Sequence, residues 1–129
     1  MIMMVVEVWK KPDMTDEAFA RRWLVEHGAR VKKHAKAMGF LRYIQSHKIP
    51  SPAIDDFARG RGWKQAPDGL TEVWWESMEA MNAARASPEA VAASAELEAD
   101  EKAFCDSKRL SAFLSDEKVI FDFTATAVA

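Results

Sequence analysis

One cysteine, Cys105, in a chain of 129 residues excludes an internal disulfide and a thiolate-based zinc site, and a chain so poor in cysteine suits a reducing compartment. An excess of either charge is missing too. Eighteen Lys and Arg against 20 Asp and Glu leave a net charge of -2, which gives no field to attract a polyanion, so nucleic acid is not an expected partner. Long apolar runs are absent. The N-terminal MIMMVVEVW falls far short of the roughly 20 residues of a membrane span, with no basic segment before it and no small-residue cleavage site after it. The expectation is a cytoplasmic, full-length protein without membrane contact. Gly-rich phosphate loops, an HExxH pair and a nucleophile elbow are also lacking, so nucleotide-dependent chemistry and zinc proteolysis lack their physical requirements.

What is present is a foldable composition, 49% hydrophobic and 29% charged, whose length predicts one domain over residues 1–129 with a single core. Ile2 to Trp9 is β-branched, Met-rich and aromatic, ends at Lys10-Lys11-Pro12-Asp13, and reads as a first strand. Thr15 before Asp16 and Glu17 is an N-cap with an acidic first turn, and Gly39 stands where a helix stops, which predicts a helix from about Asp16 to Met38. Its apolar stripe is Phe19, Trp23, Leu24, Val31, Ala35 and Met38, with His27 in the middle. Phe40 to Ile49 predicts a second strand and Leu70 to Glu76 a third. Ser77 caps a helix to about Ala86, and Ser87-Pro88 starts another that runs through Leu97 towards Phe104. The stretch from Phe113 onward supplies the fourth strand, with Lys118 to Phe123 alternating about Val119 and Phe121. The order is that of a ferredoxin-like α+β sandwich, βαββαβ. Apolar residues on both parities of the strands predict a homodimer packed sheet to sheet.

Several residues suit chemistry. His27, between Trp23 and Val31, is either a core histidine bonded to a backbone carbonyl or a proton-transfer group, because partial burial favours its neutral, basic form. The two-residue period of the second strand puts Tyr43, Gln45 and His47 on one face, a hydrogen-bonding wall that meets His27 if it faces the helices and is ordinary interface if it does not. Glu72 and Trp74 share a parity on the third strand, where a carboxylate can orient an imidazole and an indole can wall a ring. Five tryptophans are many for so small a domain. The Pro- and Gly-rich stretch from Pro50 to Gly69 exceeds the usual connection length and predicts a mobile lid whose Arg59 and Arg61 close on an anionic or carbonyl-bearing ligand. His27 and His34 lie two turns apart on one helix face and would need further ligands to hold a metal, so no metal is expected. Cys105 is a poor nucleophile candidate without an adjoining histidine.

Taken in order, Lys10-Lys11-Pro12, then Phe19, Trp23 and His27, then Tyr43-Ile44-Gln45-Ser46-His47, then Asp68-Gly69 with Glu72-Val73-Trp74-Trp75, and finally Phe104-Cys105-Asp106 resemble the EthD family of dimeric α+β barrel proteins over about residues 1 to 120. The resemblance implies a ferredoxin-like subunit, a homodimer, a pocket between sheet and helices, and action without metal or organic cofactor. Similar barrels include polyketide cyclases, anthrone-type oxygenases, decarboxylases or dehydratases, and muconolactone isomerases. His27 falls at the histidine that such families place on their first helix, and His47 at the end of a Gln-Asn-His-like run, here with Ser46 in place of the amide residue.

The leading expectation is a cofactor-independent enzyme acting on an oxygenated, cyclic or aromatic small molecule by histidine-mediated proton abstraction, of isomerase, dehydratase, decarboxylase or oxygenase type. His27, His47 and Tyr43 would be catalytic, and Trp23, Gln45, Glu72 and Trp74 would bind substrate. The alternatives are a non-catalytic small-molecule binding module of the same fold and an EthD-type oxidoreductase accessory protein in a degradation pathway.

Overall fold

The computed structural model describes residues 1–124, so residues 125–129 of the expected 1–129 domain lie outside the described residues. Its elements in chain order are β1 (Ile2–Val8), α1 (Asp16–Arg21), a π-helical turn (Arg22–His27), α2 (Gly28–Met38), β2 (Arg42–His47), α3 (Pro52–Gly60), β3 (Gly69–Trp75), α4 (Met78–Ala86), α5 (Pro88–Glu101) and β4 (Ser111–Ser115). The four strands form one antiparallel sheet in the order β2-β3-β1-β4, the ferredoxin-like arrangement expected of this element order. The sequence-read caps are in place. Thr15, Ser77 and Ser87 each accept a backbone N–H of the helix they open, and Gly39 ends α2 in the left-handed region at φ 73°, where a side chain would be strained.

Between Asp16 and Met38 the helix is not uniform, and the reason lies in its sequence. Phe19, Trp23, His27 and Val31, all buried, recur every four residues, a spacing that drifts by about 40° per step around a straight α-helix. The wider π-helical turn winds the other way and keeps the four on one face. Leu24, placed by α-helical periodicity in the same stripe, is instead 60% exposed, because the stripe follows the four-residue spacing.

Two other expectations need correction. The fourth strand is Ser111–Ser115, paired with Met3 to Glu7 of β1, and does not extend to Lys118–Phe123. Residue 115 already lies opposite Met3, near the start of β1, so the alternating residues beyond it have no strand to join, and Val119, Ile120, Phe121 and Phe123 are exposed. The connection from Pro50 to Gly69 contains α3, capped by the Ser51 hydroxyl. None of the residues between Pro50 and Asp68 lines the cavity described below, so in this structure the segment expected as a lid does not cover it. Its Arg61 instead lies over the rings of Phe57 and Trp63, at 4.3 and 5.4 Å.

Helices and sheet enclose the core from one side only. Met4, Val6, Val8, Tyr43, Thr71 and Val73 point to the helices and line a cavity there. Successive strand residues alternate faces, so Val5, Ile44, Leu70, Glu72, Trp74 and Phe113 occupy the outer face in register. That face is apolar but interrupted by Glu7 and Glu72. Trp74 is buried there beneath the Arg42 guanidinium, 4.7 Å from its ring.

Candidate functional site

The cavity between sheet and helices has a volume of about 310 Å³, enough for a small ring compound. Most of its wall is apolar, and its polar groups come from two sides. The helix wall contributes His27, Ser94, Glu98 and Glu101; the sheet wall contributes Tyr43 and Thr71. Among the described residues no Lys or Arg lines it.

His27 ends the π-helical turn and is 4% exposed. Its Nδ1 lies 2.7 Å from Oδ2 of Asp100, on α5. An ionised carboxylate can only accept, so the Nδ1 proton is donated to Asp100 and the Nε2 lone pair is left free. The bland alternative for this histidine, a bond to a backbone carbonyl, is thereby corrected. Nε2 faces Glu101, whose Oε1 is 3.9 Å away.

Asp100 is itself buried and held by two arginines. Arg22 spans it with Nη1 on Oδ2 at 3.1 Å and Nη2 on Oδ1, and Arg30 also reaches Oδ1. Burial alone would raise the Asp100 carboxyl, but the hydrogen bonds from Arg22 and His27 and the charges of both arginines hold it below its ordinary value. The same arginines matter for His27. Desolvation lowers its pKa from 6.5; the bond and charge of Asp100 oppose this, and Arg22 and Arg30 add to it, so the imidazole is neutral at pH 7. Glu101 shifts the opposite way. Burial first, then the charges of Glu98 and Asp100, raise its carboxyl to about 7, which places it near the middle of its titration at neutral pH. The Cys105 thiol, also on the cavity wall, is pushed up to about 12 by burial and by Glu101 and Asp100, so it stays a thiol.

On the sheet wall the row Tyr43, Gln45 and His47 does face the helices. Gln45 is its centre: its Nε2 donates to the Trp23 carbonyl at 2.9 Å and to Tyr43 Oη at 3.0 Å, while its Oε1 accepts from His47 Nε2 at 2.8 Å. The Trp23 carbonyl also receives the N–H of Gly28, the residue that follows the π-helical turn. Burial raises the Tyr43 pKa, against the hydrogen bonds of Gln45, Thr71 and Trp23, so the phenol keeps its proton and its O–H remains a donor. His47 stacks on the Trp23 indole, with centroids 4.2 Å apart, and lies behind that ring and off the cavity wall. Gly69 makes room for this stack. A Cβ there would stand 2.7 Å from the Trp23 ring and 2.5 Å from the Ser46 carbonyl oxygen.

The residues named from sequence thus divide. His27, Tyr43 and Trp23 meet at the cavity; Gln45 and His47 support them from one layer behind. Glu72 and Trp74, expected at the ligand, lie on the outer face of the sheet because their parity is opposite to that of Tyr43's partner Val73. The carboxylate that orients an imidazole is Asp100. Sequence reasoning missed Asp100, Glu101, Arg22 and Arg30. A signal was available, since α5 closes on Asp-Glu with no basic residue in its last turn, where the helix dipole disfavours negative charge. His34 pairs with Glu96 at 2.6 Å. Among the described residues no three His, Cys, Asp or Glu side chains are grouped to hold a metal ion, and no helix is long and apolar enough to cross a membrane.

The structure is similar to an ethyl tert-butyl ether d (EthD) family protein from Bacillus halodurans, with 16% identity, coverage of 92% of this chain and 100% of that one, and a TM-score of 0.59. A dimeric protein of unknown function and ferredoxin-like fold from Bacteroides fragilis shares 8% identity over 90% of this chain and 95% of its own, with a TM-score of 0.56. SnoaB, a cofactor-independent oxygenase from Streptomyces nogalater, shares 11% over 94% and 97%, with a TM-score of 0.51. At these identities the likeness is one of fold. No curated protein matches the chain. The EthD domain matches residues 11–108, most of the chain and all the elements from α1 to α5, and the chain belongs to the EthD domain family.

Proposed function

We propose that this protein is a cofactor-independent enzyme that removes a proton from carbon next to a carbonyl group of a small, oxygenated, cyclic or aromatic compound. The observation that carries the reading is the His27–Asp100 pair: Nδ1 is committed to a carboxylate, and Nε2, unprotonated at neutral pH, looks into a cavity of ligand size. Asp100 fixes the tautomer and the ring plane, and stabilises the imidazolium as it forms. Tyr43 donates its O–H to the carbonyl oxygen, where charge develops as the proton leaves. Gln45 and His47 position Tyr43 through their hydrogen-bonded row, and Trp23 supplies a flat wall. Isomerisation, dehydration of a β-hydroxy carbonyl compound and reaction with oxygen begin with this step, whereas decarboxylation forms the same enolate by loss of CO2 and would use the histidine only to return a proton.

The subunit, one EthD domain over residues 1–129, works as a homodimer joined through the outer face of the sheet, where Val5, Ile44, Leu70 and exposed Phe113 stand in register. Light scattering at micromolar concentration checks the dimer, and a monomer would end that part of the reading.

A thermal-shift screen of small carbonyl compounds tests the function, because a ligand at 100 times its dissociation constant stabilises by about 2.7 kcal/mol. For the compounds that bind, turnover by the wild type and by His27→Asn decides. We expect the variant to fold and bind while turnover falls by at least ~10². Binding without turnover in the wild type would make the cavity a binding site only.

A further inference from the structure

We propose that Glu101 is the acid partner of His27, delivering a proton to a ligand atom other than the one His27 deprotonates, and that the cavity takes an uncharged enolisable carbonyl compound. The inference rests on the proposed role of His27 and extends it to a second group and a substrate class.

Geometry comes first. Glu101 is the last residue of α5 and lines the same cavity as His27, with Oε1 3.9 Å from Nε2. Tyr43 and Thr71 stand on the sheet wall of that cavity. A ligand between the walls therefore meets a base, an acid and a hydroxyl donor. The titratable groups around Glu101 are His27 from the π-helical turn, Tyr43 from β2, Glu98 and Asp100 from its own helix, and Cys105 beyond it. None of them offers the carboxylate a permanent positive charge to offset its burial and the charges of Glu98 and Asp100, which together raise its pKa to about 7.

Charge selects the ligand. The ionisable groups on the wall include Glu98 and Glu101 and no Lys or Arg, while Arg22 and Arg30 are spent on Asp100. A substrate carboxylate would enter beside acidic groups without a counterion, which costs desolvation and repulsion together. An uncharged ketone or lactone avoids both. The arginines once expected to greet an anion, Arg59 and Arg61, lie outside the cavity.

The step balances without an oxidant. For a β,γ-unsaturated ketone, His27 Nε2 takes the α-proton, the C–H pair becomes a new C=C bond, and the carbonyl π pair moves onto the oxygen held by Tyr43. The dienolate then restores C=O, the electrons of the old C=C bond take the proton of Glu101 at the γ-carbon, and the conjugated isomer forms. Glu101 is left as carboxylate and His27 as imidazolium; at 3.9 Å the two are too far apart for direct transfer, and proton exchange with solvent water at the part-exposed Glu101 and in the cavity resets both.

Cyclohex-3-enone and ring-substituted homologues, incubated with the protein in deuterated water, separate the two roles. NMR reads deuterium uptake at the α-carbon, and ultraviolet absorbance reads formation of the conjugated enone. Wild type is expected to catalyse both. In Glu101→Gln, α-exchange should stay within about threefold while conjugation falls by at least ~10², the usual contribution of a positioned acid. His27→Asn should lose both. Retained exchange also establishes that the Glu101 variant is folded. Conjugation at the wild-type rate in Glu101→Gln, or wild-type exchange without conjugation, overturns the relay and leaves His27 as a base. Absence of exchange in the wild type overturns the base itself and the relay with it. Faster conversion of a carboxylate-bearing analogue than of the uncharged ketone would overturn the substrate class.

Discussion

The two walls of the cavity handle the same difficulty, polar groups out of water, in opposite ways. On the helix wall charges are brought together: Asp100 is buried under Arg22 and Arg30 and holds His27. On the sheet wall neutral groups form a chain in which His47, Gln45 and Tyr43 satisfy one another. Both histidines are pushed towards the neutral form by desolvation, yet only His27 turns a free lone pair to the cavity. His47 spends its Nε2 on Gln45 and its ring on Trp23. Burial alone therefore does not distinguish a working histidine from a supporting one; the direction of the free nitrogen does.

Breaking the charged wall should have the largest effect. Asp100→Ala leaves two arginines and the His27 N–H without their acceptor, and a stability loss of about 3 to 5 kcal/mol is expected from chemical denaturation, as for one partner removed from a buried ion pair. Asp100→Asn is the sharper probe. Its amide can offer an N–H to Nδ1, which moves the ring proton to Nε2 and takes the base away from the cavity. Turnover should fall by at least ~10² with the protein still folded. Wild-type turnover in Asp100→Asn would break the contrast between the walls.

The neutral wall should be more forgiving. Tyr43→Phe keeps the ring and removes one donor, so the cost in transition-state stabilisation should be about 1 kcal/mol, a several-fold loss in kcat/KM. His47→Asn should cost no more than that, through slackening of Gln45. A loss in His47→Asn as large as that in the His27 variant would move the base to the sheet wall.

The uneven legibility of the sequence follows from the same contrast. Strands, caps and the row of Tyr43, Gln45 and His47 follow local rules, a period of two or a side chain three residues from the N–H it caps, and each was readable. Parity alone did not say which face was inward, which is why Glu72 and Trp74 were expected beside the ligand. The π-helical turn broke the period on which Leu24 had been placed. Asp100 and Glu101 are more than seventy residues beyond His27, and no local spacing joins them; only the packing of α5 against the first helix does.

The smallest expected effect lies in the pH dependence of stability, where the charged wall has one member that resists folding. Glu101 titrates at an ordinary 4.5 when exposed and at about 7 in the fold, so between these values the folded protein binds more protons than the unfolded chain. Stability from this group is complete below pH 4.5 and is lost as pH rises towards 7. His27 acts the other way: its pKa is lowered from 6.5, so its neutral form costs nothing above 6.5 and stability falls as pH drops below that value. Glu101→Gln cannot ionise. Its stability should match wild type below pH 4.5, exceed it increasingly from 4.5 to 7, and stay above it at higher pH. Because the Glu101 side chain is 40% exposed, solvent screens much of the shift, and a gain of no more than about 1 kcal/mol, or a few degrees in Tm, is expected. Denaturation of both proteins at pH 4, 6 and 8 measures it. A difference independent of pH would mean that the carboxyl titrates at the same pH in the folded and unfolded chain, and would place Glu101 with the ordinary surface acids of the last turn of α5.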